Sequence, residues 1–452
     1  MKINTRHLAL IAALLLIADR GLTGCGAQTA SAEVPPAVIT ATPAPTAAPP
    51  IVGTSHTDSS DGGHAILADG ETKSYANITV TKTGDGEGDK ADFYGENAAV
   101  LAQNGAELNL RVASVTTDGA HANAVFSYGE GTVVNIADST INTSGSCSGG
   151  IMTTGGGTMN ADNLMVHTVG NSSAAIRSDR GGGTVNVTGG VYKTDGVGSP
   201  AIYSTADIRV TDAELSSTAS QGVVVEGKNS VTLQNVTLTA SNVRKNSGKS
   251  PWYQAVMLYQ SMSGDASEGT ASFTMLGGGL TNLNGDIFFV NNTRAVISLT
   301  GADIVNDDPE GVFLRAAAAG WGREGQNGGH VELYTAAQRL DGDLLADAVS
   351  TLNIYLGDGS VLTGAVNPAN EGAVYVSLTD GAKWSLTGDS YVQSLSCEEG
   401  SIELNGYTLY VDGEAYAEGS AMTGSPVTWE SADTQPASAP TRDRDGKPPE
   451  KK

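Results

Sequence analysis

The fold this sequence predicts is all-β: a single-stranded parallel β-helix with three short strands per rung of about 25 residues. Three observations predict it. A small residue followed by an aliphatic one recurs at a nearly fixed interval. Two further strands with alternating polarity follow it at fixed offsets. Glycine is abundant, 58 of 452 residues, and aromatic residues are scarce at 5%, as many tight corners and a narrow interior require.

The first strand of each rung is marked by Val100, Val125, Ile151, Ile176, Ile202, Val223, Val256, Ile287 and Val312, which advance by 25, 26, 25, 26, 21, 33, 31 and 25 residues. The second strand alternates with period two, as in Leu108-Asn109-Leu110, Val134-Asn135-Ile136, Val185-Asn186-Val187 and Ile297-Ser298-Leu299. The third centres on Val115, Ile141, Val166, Tyr192, Leu215, Leu238, Leu280 and Ile304. Between strands two and three stand Asp138, Asn163, Gly189, Asp212, Asn235 and Gly301. These residue types tolerate the left-handed backbone of a sharp bend. Thr117, Thr143, Thr168 and Thr194 recur in step and are expected to form a hydroxyl ladder at one corner. A β-sandwich supplies strands and turns but no register held for nine rungs. Residues 64–424 accommodate roughly fourteen rungs, a rod on the order of 65 Å at strand spacing.

The ends differ in composition. Residues 1–25 read as an export signal: Lys2 and Arg6, then an 11-residue apolar run at 8–18, too short to span a bilayer. Residues 26–63 are a Pro/Ala/Thr-rich segment, expected to be a disordered linker. The regular β-helix is assigned to 64–310, its continuation or a C-terminal cap to 311–430, and a disordered tail to 431–452. The net charge is −24; residues 1–25 and 436–452 each carry +2, so the stretch between them is 28 negative. Such acidity argues against a nucleic-acid partner, and three cysteines exclude a disulfide scaffold.

Two resemblances extend this reading. Leu22-Thr23-Gly24-Cys25 resembles a bacterial lipobox, although Asp19 and Arg20 place charge before it. The resemblance implies cleavage before Cys25, lipidation of that residue and a membrane-surface tether. The alternative is an ordinary signal peptide and a secreted chain. The blocks SAAIRSDRGGG at 173–183, YQSMSGDA at 259–266 and QNGG at 326–329 are similar to exported, adhesin-like right-handed β-helix proteins of Gram-positive gut bacteria. The stretches LDGD at 340–343, GSVLTG at 359–364 and WSLTGDS at 384–390 resemble the passenger solenoids of pertactin-type autotransporters, without their C-terminal barrel. Both imply surface display. Neither implies a defined activity.

Chemistry is expected on the outer side of the first strands. With Ile176 and Ser178 inward, one outward column reads Leu101, Phe126, Met152, Arg177, Tyr203, Val224, Met257, Phe288, Phe313. The next reads Gln103, Tyr128, Thr154, Asp179, Thr205, Glu226, Tyr259, Val290, Arg315. Insertions at 241–254, 261–270 and 316–330 flank this stripe and bring Trp252, Asp265, Glu268, Trp321, Arg323 and His330. Aromatic faces beside carboxylates and guanidinium groups suit sugars. The candidate ligand-binding residues are Tyr128, Arg177, Asp179, Tyr203, Glu226, Trp252, Tyr259, Arg315 and Trp321, and the expected partner is a glycan or glycoprotein. The other outcome is that the insertions lie flat on the stripe and seal it. Asp179 and Glu226, two rungs or roughly 9.6 Å apart, are the candidate dyad of an alternative reading, a polysaccharide lyase or glycoside hydrolase. A structural envelope spacer is a third. The loop bearing Asp85, Glu87, Asp89 and Asp92 is a weak calcium-type candidate. His56, His64, His121, His167 and His330 show no metal-ligand spacing, and no other metal site is expected. Cys147 and Cys397 stand too many rungs apart to form a disulfide. No Walker loop, GxSxG or HExxH is present, and no cofactor is expected.

Overall fold

The computed structural model describes residues 51–429. Cys25, and with it the lipobox, lies outside the described residues, as does the segment assigned to the tail. The described chain is a parallel β-helix. Fourteen strands pair side by side on the second face, from Ile51–Val52 through Thr72–Lys82 and Val133–Ala137 to Ser394–Ser396. The first face is an 11-stranded sheet from Ile66–Asp69 to Leu344–Ala346. One continuous apolar core runs inside.

The second and third faces keep the register that period-two alternation predicts. Leu108, Val134, Met159, Val185, Ile208, Val231, Phe273 and Ile297 stack in one column. Val115, Ile141, Val166, Tyr192, Leu215, Leu238, Leu280 and Ile304 stack in another. Asp138, Asn163, Asp212 and Asn235 all have φ between 50° and 54°, with Gly189 and Gly301 at 65° and 57°. Outside the rod, Asn109, Asn135, Asn160 and Asn186 join by side-chain amide bonds of 2.8, 2.9 and 3.0 Å. The threonine column behaves differently from expectation. Thr143, Thr168 and Thr194 do not bond one another. Each hydroxyl turns inward and donates to a carbonyl five residues on, at Ser148, Ser173 and Ser199.

Two boundaries move. Strands Ile51–Val52 and Ser55–Asp58 already pair with Thr72–Lys82, so the rod starts inside the segment expected to be linker. Lys82 fixes this start. Fully buried, it donates to the Ser60 carbonyl at 2.6 Å and sits 3.2 Å from Asp58. At the other end, 311–430 is both continuation and cap. Strands Gly329–Ala336, Thr351–Gly357 and Ala373–Leu378 extend the second face in parallel, while Leu409–Val411 and Glu414–Ala415 close antiparallel.

On the first face the outward columns slip. Met257 stacks on Phe289, and Phe289 on Arg315. Phe288, Val290 and Phe313, expected outside, lie in the core, and Arg315 moves to the column of Arg177.

Candidate functional site

The outer side of the first face is covered along most of its length. A helix, α1 (Gly88–Tyr94), is inserted ahead of Val100–Gln103. Gly95, which ends the helix, abuts Leu101 and Phe126, and these form an almost fully buried cluster with Ala98 and Met152. Tyr94 of α1 meets Tyr128 edge-on at 5.6 Å, and the Phe93 carbonyl accepts from the Thr154 hydroxyl at 2.7 Å. Further along, Val224, Met257, Tyr259, Phe289 and Ala317 form a second buried cluster, packed under Trp252 and Trp321. Trp252 leans on Phe289 at 5.5 Å, and the Arg315 guanidinium lies over its ring, 4.6 Å from the centroid. Arg315 in turn donates to Asp286 at 2.6 and 3.2 Å. The insertions therefore seal the aromatic stripe, for the reason that drives any apolar surface of this size out of water.

Glu226 is the polar centre of that cover. It is 1% exposed and accepts from Tyr203 at 2.5 Å, Tyr259 at 2.9 Å and the Ser261 hydroxyl. Burial, reinforced by the negative charge of Glu226, raises both phenols well above their ordinary range. Asp179 faces Arg177 at 2.9 Å. Burial pushes its carboxyl up, and Arg177 offsets part of that. Both candidate catalytic carboxylates are thus engaged by neighbouring side chains. Tyr203, Trp252, Tyr259 and Trp321 do come together, around a pocket of about 130 Å³, below the size of ordinary small-ligand sites. Tyr128 stands apart, under α1.

Open space lies beside the cover. A cleft of about 1520 Å³ runs between the insertions at 261–270 and 316–330 and onto the second face. Trp321, Arg323, Arg294, Glu268, Glu371, Gln393 and Trp429 line it. Trp321 packs against Tyr259 at 5.0 Å between ring centres. Trp429 stacks on His330 at 3.9 Å and carries Arg294 at 4.5 Å. Burial, and then Arg294, lower the His330 imidazole to about 4, so it is neutral at physiological pH. Lys249, Arg294 and Arg323 face two carboxylates here, so the cleft is locally cationic on an acidic chain. Of the nine candidate ligand-binding residues Trp321 alone lines it, joined by Glu268, Arg323 and His330, which the insertions were expected to bring. Arg294, Glu371, Gln393 and Trp429 were not signalled by the strand-one pattern because they belong to second-face strands, their connections and the chain beyond the cap.

The acidic loop ahead of α1 does not gather its carboxylates. Asp85 accepts from the Ala120 amide at 2.8 Å, Asp89 pairs with Arg180 at 3.2 Å, and Asp92 bonds His121 at 2.7 Å. Arg180 also binds Asp265 of the 261–270 insertion at 2.8 Å and lies 3.9 Å from the Phe93 ring centre, clasping the two covers together. Among the described residues, one cluster of metal-ligating types does form: Asp92, His121 and Cys147, with donor atoms within 4.8 Å of one another. Burial, and then Asp92, push the Cys147 thiol up, with Arg177 opposing. The signal for this cluster was present in the sequence. His121 and Cys147 are 26 residues apart, one rung, a spacing that becomes a contact only in a solenoid.

No family model, characterised protein or solved structure matches this chain. Function therefore rests on the geometry.

Proposed function

We propose that the protein is a displayed binding protein that captures a carbohydrate chain, free or on a glycoprotein, in the cleft beside the first face, without turning it over. The observation that carries this reading is the open cleft of about 1520 Å³ with Trp321 and Trp429 on its walls and amide, guanidinium and carboxylate groups between them. Indole faces stack on the C–H surface of sugars, and the charged and amide groups between them bond hydroxyls in pairs. The volume exceeds that of ordinary small-molecule sites and suits a polymer segment. The local excess of cations favours neutral or weakly acidic sugars. A lipid on Cys25 would hold the cleft at the outer membrane surface.

A glycan array spanning neutral and acidic sugars tests the reading. Binding is expected, reduced at least about tenfold by Trp321→Ala. Because Trp321 also packs on Tyr259, the exposed Arg323→Ala serves as the second variant, with a several-fold loss expected. Silence across the array, or binding indifferent to both changes, overturns the proposal. Release of new reducing or unsaturated ends from a bound polymer would replace capture with catalysis.

A further inference from the structure

We propose that Asp92, His121 and Cys147 form a binding site for a divalent transition ion of the zinc type. The fold builds the site in two steps. His121 and Cys147 take the same left-handed corner position in adjacent rungs, with φ of 53° and 57°. Each backbone N–H donates one rung onward, to Ser146 and Asn171, at 2.8 Å. Their side chains therefore leave the rod in the same direction, one strand spacing apart. Ser172 and Gly198 follow at the same corner, with φ of 55° and 65°, so histidine and cysteine are not what the corner conformation itself selects. α1 then carries Asp92 across to them, 2.7 Å from His121.

The donor set decides the ion. Thiolate, imidazole and carboxylate together are ligands for zinc and its neighbours. Calcium and magnesium take oxygen and do not select thiolate. Ligand atoms around a tetrahedral zinc lie about 3.5 Å apart, from bonds of about 2.0–2.3 Å. A cluster held within 4.8 Å closes on an ion by sub-ångström side-chain rotations, while the Asp92–His121 contact opens slightly. The surrounding charge accommodates the ion. Asp89, Asp92, Asp179 and Asp265 face only Arg177 and Arg180 in this network, an excess of two negative charges. Three protein ligands leave a fourth position open, the layout of a Lewis-acid site. Arg177 is near enough to Cys147 and Asp92 for its charge to act on both. Its Nη1 is buried with no hydrogen-bond acceptor among the described residues, a donor available to an anionic ligand on the ion.

The experiment uses the purified, reduced, metal-free full chain and Co²⁺ as a spectroscopic probe. One equivalent is expected to produce a thiolate-to-cobalt charge-transfer band with the ligand-field bands of a four-coordinate ion, and Zn²⁺ is expected to displace it. Cys147→Ser should abolish the charge-transfer band. His121→Asn, which tolerates the left-handed corner, and Asp92→Asn should each weaken binding by about a hundredfold or more, above the cost of losing an outer partner. Cys25→Ser and Cys397→Ala should leave the spectrum unchanged, and far-ultraviolet circular dichroism should show every variant folded. Absence of the band in the parent chain, or its survival in Cys147→Ser, overturns the proposal. So does a chain that takes no metal while Cys147 alkylates at neutral pH in a His121-dependent way, which would make the cluster a nucleophile instead.

Discussion

The threonine column offers a comparison in which one substitution, at equivalent positions of neighbouring rungs, has opposite effects. Thr143 is 3% exposed and donates to the Ser148 carbonyl at 2.7 Å. Thr117, 1% exposed in the rung before it, has a buried hydroxyl with no partner among the described residues. Valine keeps the β-branch and replaces the hydroxyl by a methyl group. At position 143 the change strands a buried carbonyl, which costs about 1–3 kcal/mol; the buried methyl recovers about 0.8 kcal/mol, leaving a net loss of about 0.2–2 kcal/mol. At position 117 no bond is lost, and a polar group that was desolvated without compensation disappears. Thr117→Val should therefore stabilise by about 1–2 kcal/mol, and the two variants should differ by about 1–4 kcal/mol. Long solenoids do not unfold as a single unit, so the reading should be local: amide hydrogen exchange of peptides covering each corner, with urea unfolding in support. Protection should fall around Thr143→Val and rise around Thr117→Val. A shift of the same sign and size in both would refute the account of this corner as a set of hydroxyl-to-carbonyl bonds.

Three further outcomes are expected. Phe126→Ala empties the space beneath α1, where Phe126 is fully buried, and should cost about 3–5 kcal/mol, measured as early urea unfolding that exposes residues 84–97 to protease. Because His330 is held neutral, with its value lowered from 6.5 to about 4, the unfolded chain binds the extra proton between those values. Stability should then rise with pH across that window, be fully present above 6.5 and be lost toward 4. Solvent at the cleft mouth should limit the change to about 1–2 kcal/mol, and His330→Gln should remove that part of the slope in pH-dependent melts. Arg180→Ala should release both α1 and the 261–270 insertion, raising hydrogen exchange in the two segments together, with less than about 1 kcal/mol lost from the rod itself because Arg180 is 38% exposed.

The second and third faces were legible in the sequence because one side is core and the other is solvent, so polarity alternates along each strand. The first face was less so, and the reason is visible at Gln254–Tyr259 and Asp286–Asn291. All six residues of each strand are buried, since the insertions cover what would be the wet side. A strand buried on both sides loses its alternation, and period two cannot then say that Phe288 points in and Phe289 out. The same burial turned the expected ligand-binding stripe into a second core. Phe126, Tyr128, Tyr203 and Tyr259 do face outward, where they anchor the cover, while Phe288 and Phe313 belong to the core. The start of the rod was hidden by composition, because Ile51–Val52 and Ser55–Asp58 adjoin a proline-rich run. The Asp92–His121–Cys147 cluster was missed because ligand spacing was read along the chain, whereas in this fold the spacing that matters is one rung.

The hydrogen bonds between the fourteen strands of the second face run along the rod, not across it. Tension applied end to end therefore loads these bonds in unzipping geometry, one rung at a time, while the flanking rungs remain intact. Each detached rung of about 25 residues exchanges a rise of about 4.8 Å for a contour of about 85 Å. Pulled from its two ends, such a rod is expected to lengthen rung by rung rather than to shear as a whole. Clasps that span several rungs, Arg180 between Asp89 and Asp265 and Glu226 between Tyr203 and Tyr259, act as local stops along it.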